Sequence, residues 1–422
     1  MTAARPEPAR IDDFADPRFT PEVAAVRESL GPVADELELE VSALTAQAER
    51  ETGLDDFGDP GFRERLEILC RSLRDEAGLA PFGVVSNHAL LSGLLRSRLL
   101  IQDLLVRHPE IAEVPVERPI VIVGLPRTGT THLHNLISAD PALRSLPYWE
   151  SLEPVLPPAE RGLDPDPRLA RTELALDWLD QSMPLFKRMH EMTVDHVHEE
   201  IQLLAIDFSS MLFESSCFVP TYRDYYLAHD QTPHYGYLRQ VLQVLTWLRG
   251  GTRWVLKSPQ HSEQLVPLLR VFPDATFVVT HRDPVAVTAS VCTMIAYGAR
   301  MNAAHPDPLV LGRYWSQRVE ELLWGCARDR DVLPDAQAID VRFHEYMADD
   351  LAMVRRIYEV AGQPFTDETE AALGRFMSAH PRGRHGTVVY DATALGLDLD
   401  ERRRALGFYT ERFGVVEELR GP

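Results

Sequence analysis

The chain is poor in cysteine, in long apolar runs and in net positive charge, and each shortage removes a class of function. Its four cysteines, Cys70, Cys217, Cys292 and Cys326, are scattered through 422 residues with no CxxC pair. That spacing fits reduced thiols used for core packing in a cytoplasmic setting and argues against a zinc site, so no metal is expected. The longest apolar stretch, residues 201–213, is interrupted by Asp207 and falls short of the roughly 20 residues that cross a bilayer. No membrane span is expected, although peripheral contact with a lipid substrate stays open. A formal charge of −21, from 64 acids against 43 bases, disfavours nucleic acid as a partner, because duplex binding needs a basic face to neutralise phosphates. Any anionic ligand must therefore be met by a local cluster of cations. The first residues lack the apolar centre of a secretion signal, and 1–20 read as a flexible, Pro-rich arm.

What is present is an ordinary globular composition, 45% hydrophobic and 25% charged, without an internal repeat or low-complexity tract. Residues 21–422 are expected to form one domain. Apolar residues at three and four spacing in 22–51, 61–76 and 87–107 predict a helical preface over 21–118. The prolines at 115 and 119 then break the helix and admit Ile120–Val123, a continuous apolar run suited to a buried parallel strand. Residues 254–257, 276–280 and 337–341 read as further strands, with helices over 129–139, 260–272 and 285–297. Alternation of this kind predicts an α/β fold, a P-loop-like parallel sheet flanked by helices over 119–390, with a C-terminal helix or tail over 391–422. Ligands of such sheets bind beyond the carboxyl ends of the strands. An insertion over 152–250 reads as mostly helical, with helices at 166–181, 193–213 and 232–248. Its aromatic residues, Phe208 and Tyr222 to Tyr237 among them, suit either an acceptor pocket or plain core.

The strongest local signal is GLPRTGTTHLH, which follows the strand Ile120–Val123. Two glycines let the backbone approach an anion closely, Thr130 and Thr131 add hydroxyls, and the first turn of the next helix directs its N–H groups to the same spot. A nucleotide triphosphatase loop would carry a lysine after the second glycine, yet Gly129 is followed by Thr130 and Thr131. The cation here is Arg127, inside the loop. A second signal is His281-Arg282-Asp283-Pro284, with Ser290 two helical turns on, so that arginine and serine can converge on one phosphate. The kinase HRD loop is excluded by the missing downstream asparagine and DFG. Lys257 ends a buried strand, where it needs an acidic partner or a function. The cluster Asp195 to Glu200 reads as a polar helix face, and its HEEIQ lacks the second histidine of a zinc hydrolase.

Together GLPRTGTTHLHNLIS and FPDATFVVTHRDPVAVTAS resemble the sulfotransferases that use 3′-phosphoadenosine 5′-phosphosulfate (PAPS), in particular the bacterial branch with a PRSGTT loop. The resemblance covers roughly residues 119–390. It implies that Arg127, Thr128, Gly129, Thr130 and Thr131 hold the 5′-phosphosulfate and that Arg282 and Ser290 hold the 3′-phosphate. It further implies that Arg382, Gly383 and Arg384 belong to a late loop closing over the nucleotide. By similarity to the tyrosylprotein branch, Lys257 would meet the leaving bridge oxygen and Glu150 would be the base, with His198 as the competing base and Arg127 assisting catalysis. His132 stands where other members place an adenine-stacking tryptophan, so no adenine contact follows. The implied activity is in-line transfer of a sulfuryl group to the hydroxyl of a small-molecule or lipid acceptor. The rivals are an ATP-dependent small-molecule kinase and a non-catalytic nucleotide-binding protein.

Overall fold

The computed structural model describes residues 6–381 and 383–418. Of the arm expected over 1–20, residues 1–5 lie outside the described residues, and the rest includes a two-residue strand β1 (Ala9–Arg10). Ile11 and Phe14 are each 6% exposed, and this apolar pair anchors a segment whose overall polarity suggested freedom. The preface follows as α1 (Pro21–Ser29), α2 (Gly31–Glu36), α3 (Val41–Thr52), α4 (Phe62–Asp75) and α5 (Pro81–Arg107). The long helix expected over 22–51 is thus three. Pro32 takes a first-turn position of α2, where its missing N–H is harmless, and the chain turns extended at Leu37.

The central sheet holds β2 (Ile120–Val123), β3 (Val255–Ser258), β4 (Thr276–His281) and β5 (Ala338–Arg342), all parallel in the order β3-β2-β4-β5. The register pairs Ile120 with Val255 on one side and with Thr276 on the other. Successive side chains of a strand point to opposite faces, and β2 divides accordingly. Ile120 and Ile122 pack with Leu133 and Leu136 of α6 (Thr130–Ser138), while Val121 and Val123 pack into the core shared with the preface and the insertion. A continuous apolar run is what two buried faces require.

Between β2 and β3 lie α7 (Tyr148–Leu152), α8 (Pro167–Ser182), α9 (Ile201–Ala205), α10 (Leu212–Ser216), α11 (Pro220–Ala228) and α12 (Thr232–Arg249). The helix expected over 193–213 does not form. Its first part is a turn-rich segment pinned to the start of α7, with the His198 N–H donating to the Leu146 carbonyl at 2.7 Å and the Tyr148 N–H to that of His196 at 2.9 Å. Of the insertion's aromatics, Phe208, Tyr222 and Tyr235 are core rather than pocket, buried against Leu66, Leu91 and Leu238. After β3 come α13 (Leu265–Val271), then α14 (Pro284–Gly298) and α15 (Pro308–Asp329) beyond β4. Beyond β5, α16 (Phe343–Ala348), α17 (Asp350–Ala361) and α18 (Asp367–Ala379) cover the sheet's other face. A last strand, β6 (Val388–Val389), pairs in parallel with β1.

Candidate donor-binding cleft

The GLPRTGTT turn joins β2 to α6, and its shape is set by what cannot fit. A methyl at Gly124 would come within 2.0 Å of the Thr280 hydroxyl oxygen, so only glycine lets the turn lie against β4. Gly129 has φ +87° and caps α6, and Arg127 is itself left-handed at φ 73°. A non-glycine residue in that region is uncommon and is held only by its surroundings. Thr128 is turned inward, donating to the Leu125 carbonyl at 2.7 Å and sharing a 2.8 Å hydrogen bond with the Thr280 hydroxyl. Its hydroxyl, and that of Thr130 at 1% exposure, do not reach the cleft. Of the threonines in the expected phosphate set, Thr131 does.

Arg127, Gly129 and Thr131 line a cleft of about 740 Å³ at the carboxyl end of the sheet, together with Arg282, Gly383 and Arg384. Arg127 donates to Ser290 Oγ at 3.0 Å and to the Met189 carbonyl. Arg282 donates to the Arg127 carbonyl at 2.6 Å and lies over the Phe343 ring, 4.1 Å from its centroid. The structure therefore brings Arg127, Arg282 and Ser290 together from two strand ends and a helix. Arg282 also meets Glu418 through two hydrogen bonds of 2.8 and 2.7 Å, and Arg384 is paired with Glu191. Arg382 lies outside the described residues. One side of the cleft is aromatic and apolar, formed by His132, Phe343, Met347 and Phe376.

Lys257 is 2% exposed and its ammonium group is bonded to Glu199. The adjacent Glu200 is an anchor. It accepts the Lys257 backbone N–H at 2.8 Å and meets His261 Nε2 at 2.5 Å, and His261 in turn meets the Tyr235 hydroxyl at 2.7 Å. Burial alone would raise the Glu200 carboxyl, but the His261 contacts and the backbone hydrogen bonds outweigh it and hold it low. This chain of bonds fixes the 199–200 turn to β3 and sets Glu199 against the lysine.

Glu150, expected as the base, is not at the cleft. It is 1% exposed and held between Arg144 at 2.7 Å and Arg249 at 2.9 Å, with the Arg144 guanidinium 4.5 Å from the Trp254 ring centroid. A buried carboxylate held between two cations is engaged in a structural ion pair. His198 is also withdrawn, 8% exposed and against Tyr148. Among the histidines that do line the cleft, His190 and His196 stand with their rings 5.4 Å apart. Both are held below the ordinary imidazole value, His196 at about 4, by burial first and then by neighbouring positive charge, including Lys257. They stay neutral at pH 7. A smaller groove of about 240 Å³, lined by Leu176, Leu179 and Phe186, shares Lys187, His190 and Thr193 with the main cleft.

Sequence reasoning missed Glu199, Glu191 and His190. Glu199 lay inside the noticed DHVHEE cluster, and taking that segment for a helix face hid its pairing with Lys257. Among the described residues no group of three or more His, Cys, Asp or Glu side chains could hold a metal ion, and no helix is long and apolar enough to cross a membrane.

The chain is similar over its whole architecture to two solved structures. The sulfotransferase STF9 from Mycobacterium avium is 30% identical with a TM-score of 0.82, covering 91% of this chain and 99% of that one. The sulfotransferase STF1 from Mycobacterium tuberculosis H37Rv is 30% identical with a TM-score of 0.76, covering 86% and 97%. A curated relative, omega-hydroxy-beta-dihydromenaquinone-9 sulfotransferase Stf3 from Mycobacterium bovis, is 26% identical over 266 residues, 60% of this chain. The match spans 65% of that relative's length. A family model for the sulfotransferase family matches residues 119–367, which run from the residue before β2 to the start of α18. The cradle, Lys257 and Arg282 all fall within that match, and the chain belongs to the sulfotransferase family.

Proposed function

We propose that this protein transfers a sulfuryl group from PAPS to the hydroxyl of a small-molecule or lipid acceptor. The observation that carries the reading is the convergence of Arg127, Arg282 and Arg384, together with the start of α6, on one cleft in a chain of net charge −21. Concentrating cations there suits a donor with anionic groups at two ends of a nucleoside. Arg127, Gly129, Thr131 and the first amides of α6 would hold the 5′ end, and Arg282 with Ser290 the 3′-phosphate. Gly383 and Arg384 would close over the nucleotide. Phe343, Met347 and Phe376 offer the apolar wall an adenine base requires.

PAPS supplies an activated sulfuryl group when bound. Glu199 would accept the acceptor's hydroxyl proton as the new S–O bond forms. Lys257 would stabilise negative charge on the departing bridge oxygen, which leaves on adenosine 3′,5′-bisphosphate (PAP). The ion pair between them matches these paired roles, one group taking a proton and the other favouring an anion. Neither Lys257 nor Glu199 lines the cleft itself, but the Lys257 charge reaches His190 and His196 on its wall. The adjoining groove, lined by Leu176, Leu179 and Phe186 together with Glu173, Asp177 and Asp180, would give the acceptor an approach. The relative Stf3 is named for a hydroxylated acceptor, in keeping with a hydroxyl as the proposed site of transfer. The reaction would be cytoplasmic, where four buried thiols remain reduced.

Titration calorimetry with PAP, adenosine 5′-phosphate and ATP–magnesium tests the reading. PAP should bind at least about tenfold more tightly than either. Equal binding of PAP and adenosine 5′-phosphate would refute a 3′-phosphate site, and preference for ATP–magnesium would favour a kinase. With an acceptor in hand, Glu199→Gln should cut kcat by about a hundredfold or more with PAP affinity retained, whereas Glu150→Gln should act on stability.

A further inference from the structure

Tyr390 belongs to neither sequence motif, yet its hydroxyl accepts from an Arg127 guanidinium nitrogen at 3.5 Å. The same guanidinium donates to Ser290 Oγ at 3.0 Å. Arg127 thus joins the phenol to the serine hydroxyl expected at the donor's 3′-phosphate. Burial works to raise its pKa, but the positive charge of Arg127 and of Arg282 pulls it below the ordinary tyrosine value. A phenol in such a field is a strengthened hydrogen-bond donor towards an anion.

What holds Tyr390 there is the other end of the chain. Tyr390 directly follows β6, and β6 is paired only with β1 in a two-stranded parallel ladder, Ala9 with Val388 and Arg10 with Val389. The Ala9 N–H donates to the Thr387 carbonyl at 3.0 Å, and Arg188 donates to the carbonyls of Glu7 and Thr387 at 2.7 and 3.3 Å. Arg10 meets Asp391 at 3.3 Å, and Asp13 meets Arg300 at 2.6 Å. The N-terminal segment is thus fastened on both sides of β1. Gly383 to Gly386, on the cleft wall, and Tyr390, behind Arg127, are ends of the segment that this ladder secures.

Resting on the sulfotransferase reading above, we propose that Tyr390 is a ligand of the donor's 3′-phosphate and that strand β1 is the brace that presents it. The N-terminal segment is then part of the donor site although it contributes no side chain to the cleft. Two substitutions in the full chain test this. Tyr390→Phe removes one oxygen and keeps the ring. It should weaken PAP binding by about tenfold while leaving adenosine 5′-phosphate, which lacks the 3′-phosphate, within about twofold. Ala9→Pro deletes the N–H that bonds Thr387 and should reproduce the same selective loss to a smaller extent, with the melting temperature measured alongside.

Equal losses for both nucleotides would make Tyr390 a general structural support and overturn the ligand role. Unchanged PAP binding in Tyr390→Phe would overturn it as well. If Tyr390→Phe acts selectively and Ala9→Pro folds normally with full PAP affinity, the brace is disproved. Wild-type protein that does not prefer PAP over adenosine 5′-phosphate would instead refute the parent reading, so the two failures are distinguishable.

Discussion

The molecule uses arginine in two opposite ways, in the helical body and at the cleft. In the body, Arg318 is 0% exposed and is matched by Glu214 at 2.9 Å and Glu263 at 2.6 Å. Asp207, which interrupts the apolar run noted in the sequence, likewise receives Arg65 at 2.6 Å, Arg98 at 2.8 Å and His234 at 2.5 Å, joining the preface to the insertion. At the cleft, Arg282 and Arg384 keep 23% and 30% of their side-chain surface exposed, and their partners Glu418 and Glu191 keep 32% and 33%. The first kind of charge is satisfied inside the protein and holds elements in register. The second has partners that an incoming anion can replace.

Breaking one buried set should therefore cost stability and leave binding alone. Arg318→Ala, which strands Glu214 and Glu263 in the interior, should lose about 3–5 kcal/mol in urea unfolding, with unchanged PAP affinity in the protein that remains folded. Arg282→Ala should do the reverse, weakening PAP by roughly ten- to a hundredfold with little change in melting temperature. An Arg282 variant that melts early would place that residue with the structural set.

Acid sharpens the contrast from another side. His134 and His196 are lowered to about 3 and about 4, by burial first and then by the charge of Lys257. Between those values and the ordinary 6.5 the unfolded chain binds protons that the folded chain refuses. Stability is thus full above pH 6.5 and is lost as pH falls through that window. Lys257→Met should make the decline in melting temperature shallower without abolishing it, since burial is the larger cause. A profile flat from pH 7 to 4 would contradict the neutral histidines. The smallest effect is expected from Glu418→Gln, which removes a competitor for Arg282 and should tighten PAP by about two- to fivefold.

The sequence carried most of the sheet and the grouping of Arg127 with Arg282 and Ser290. β2 was legible because two buried faces demand an unbroken apolar run, and the cradle because glycine, hydroxyl and arginine in a turn have few other uses. Glu150 and Thr128 misled for a common reason. Residue type and spacing specify where a side chain attaches, while burial and partners decide where it points, and Arg144, Arg249 and Thr280 come from elsewhere in the chain. The segment 195–200 was misread because its polar residues look solvated on a helix, whereas long-range pairing with Leu146, Tyr148 and Lys257 folds them inward. The brace of β1 was invisible because two residues have no period to detect.

The hydroxyl bridge between Thr128 and Thr280 ties the turn after β2 to the strand that delivers Arg282, and the bare Cα of Gly124 lets the two meet. The proposed separation between the two anion poles is then referred to one shared point, the joined hydroxyls of Thr128 and Thr280. For the donor proposed above, the cleft would act as a gauge, admitting a nucleotide by the distance between its charged ends. An added methyl at Gly124 would reset that gauge before it touched any ligand.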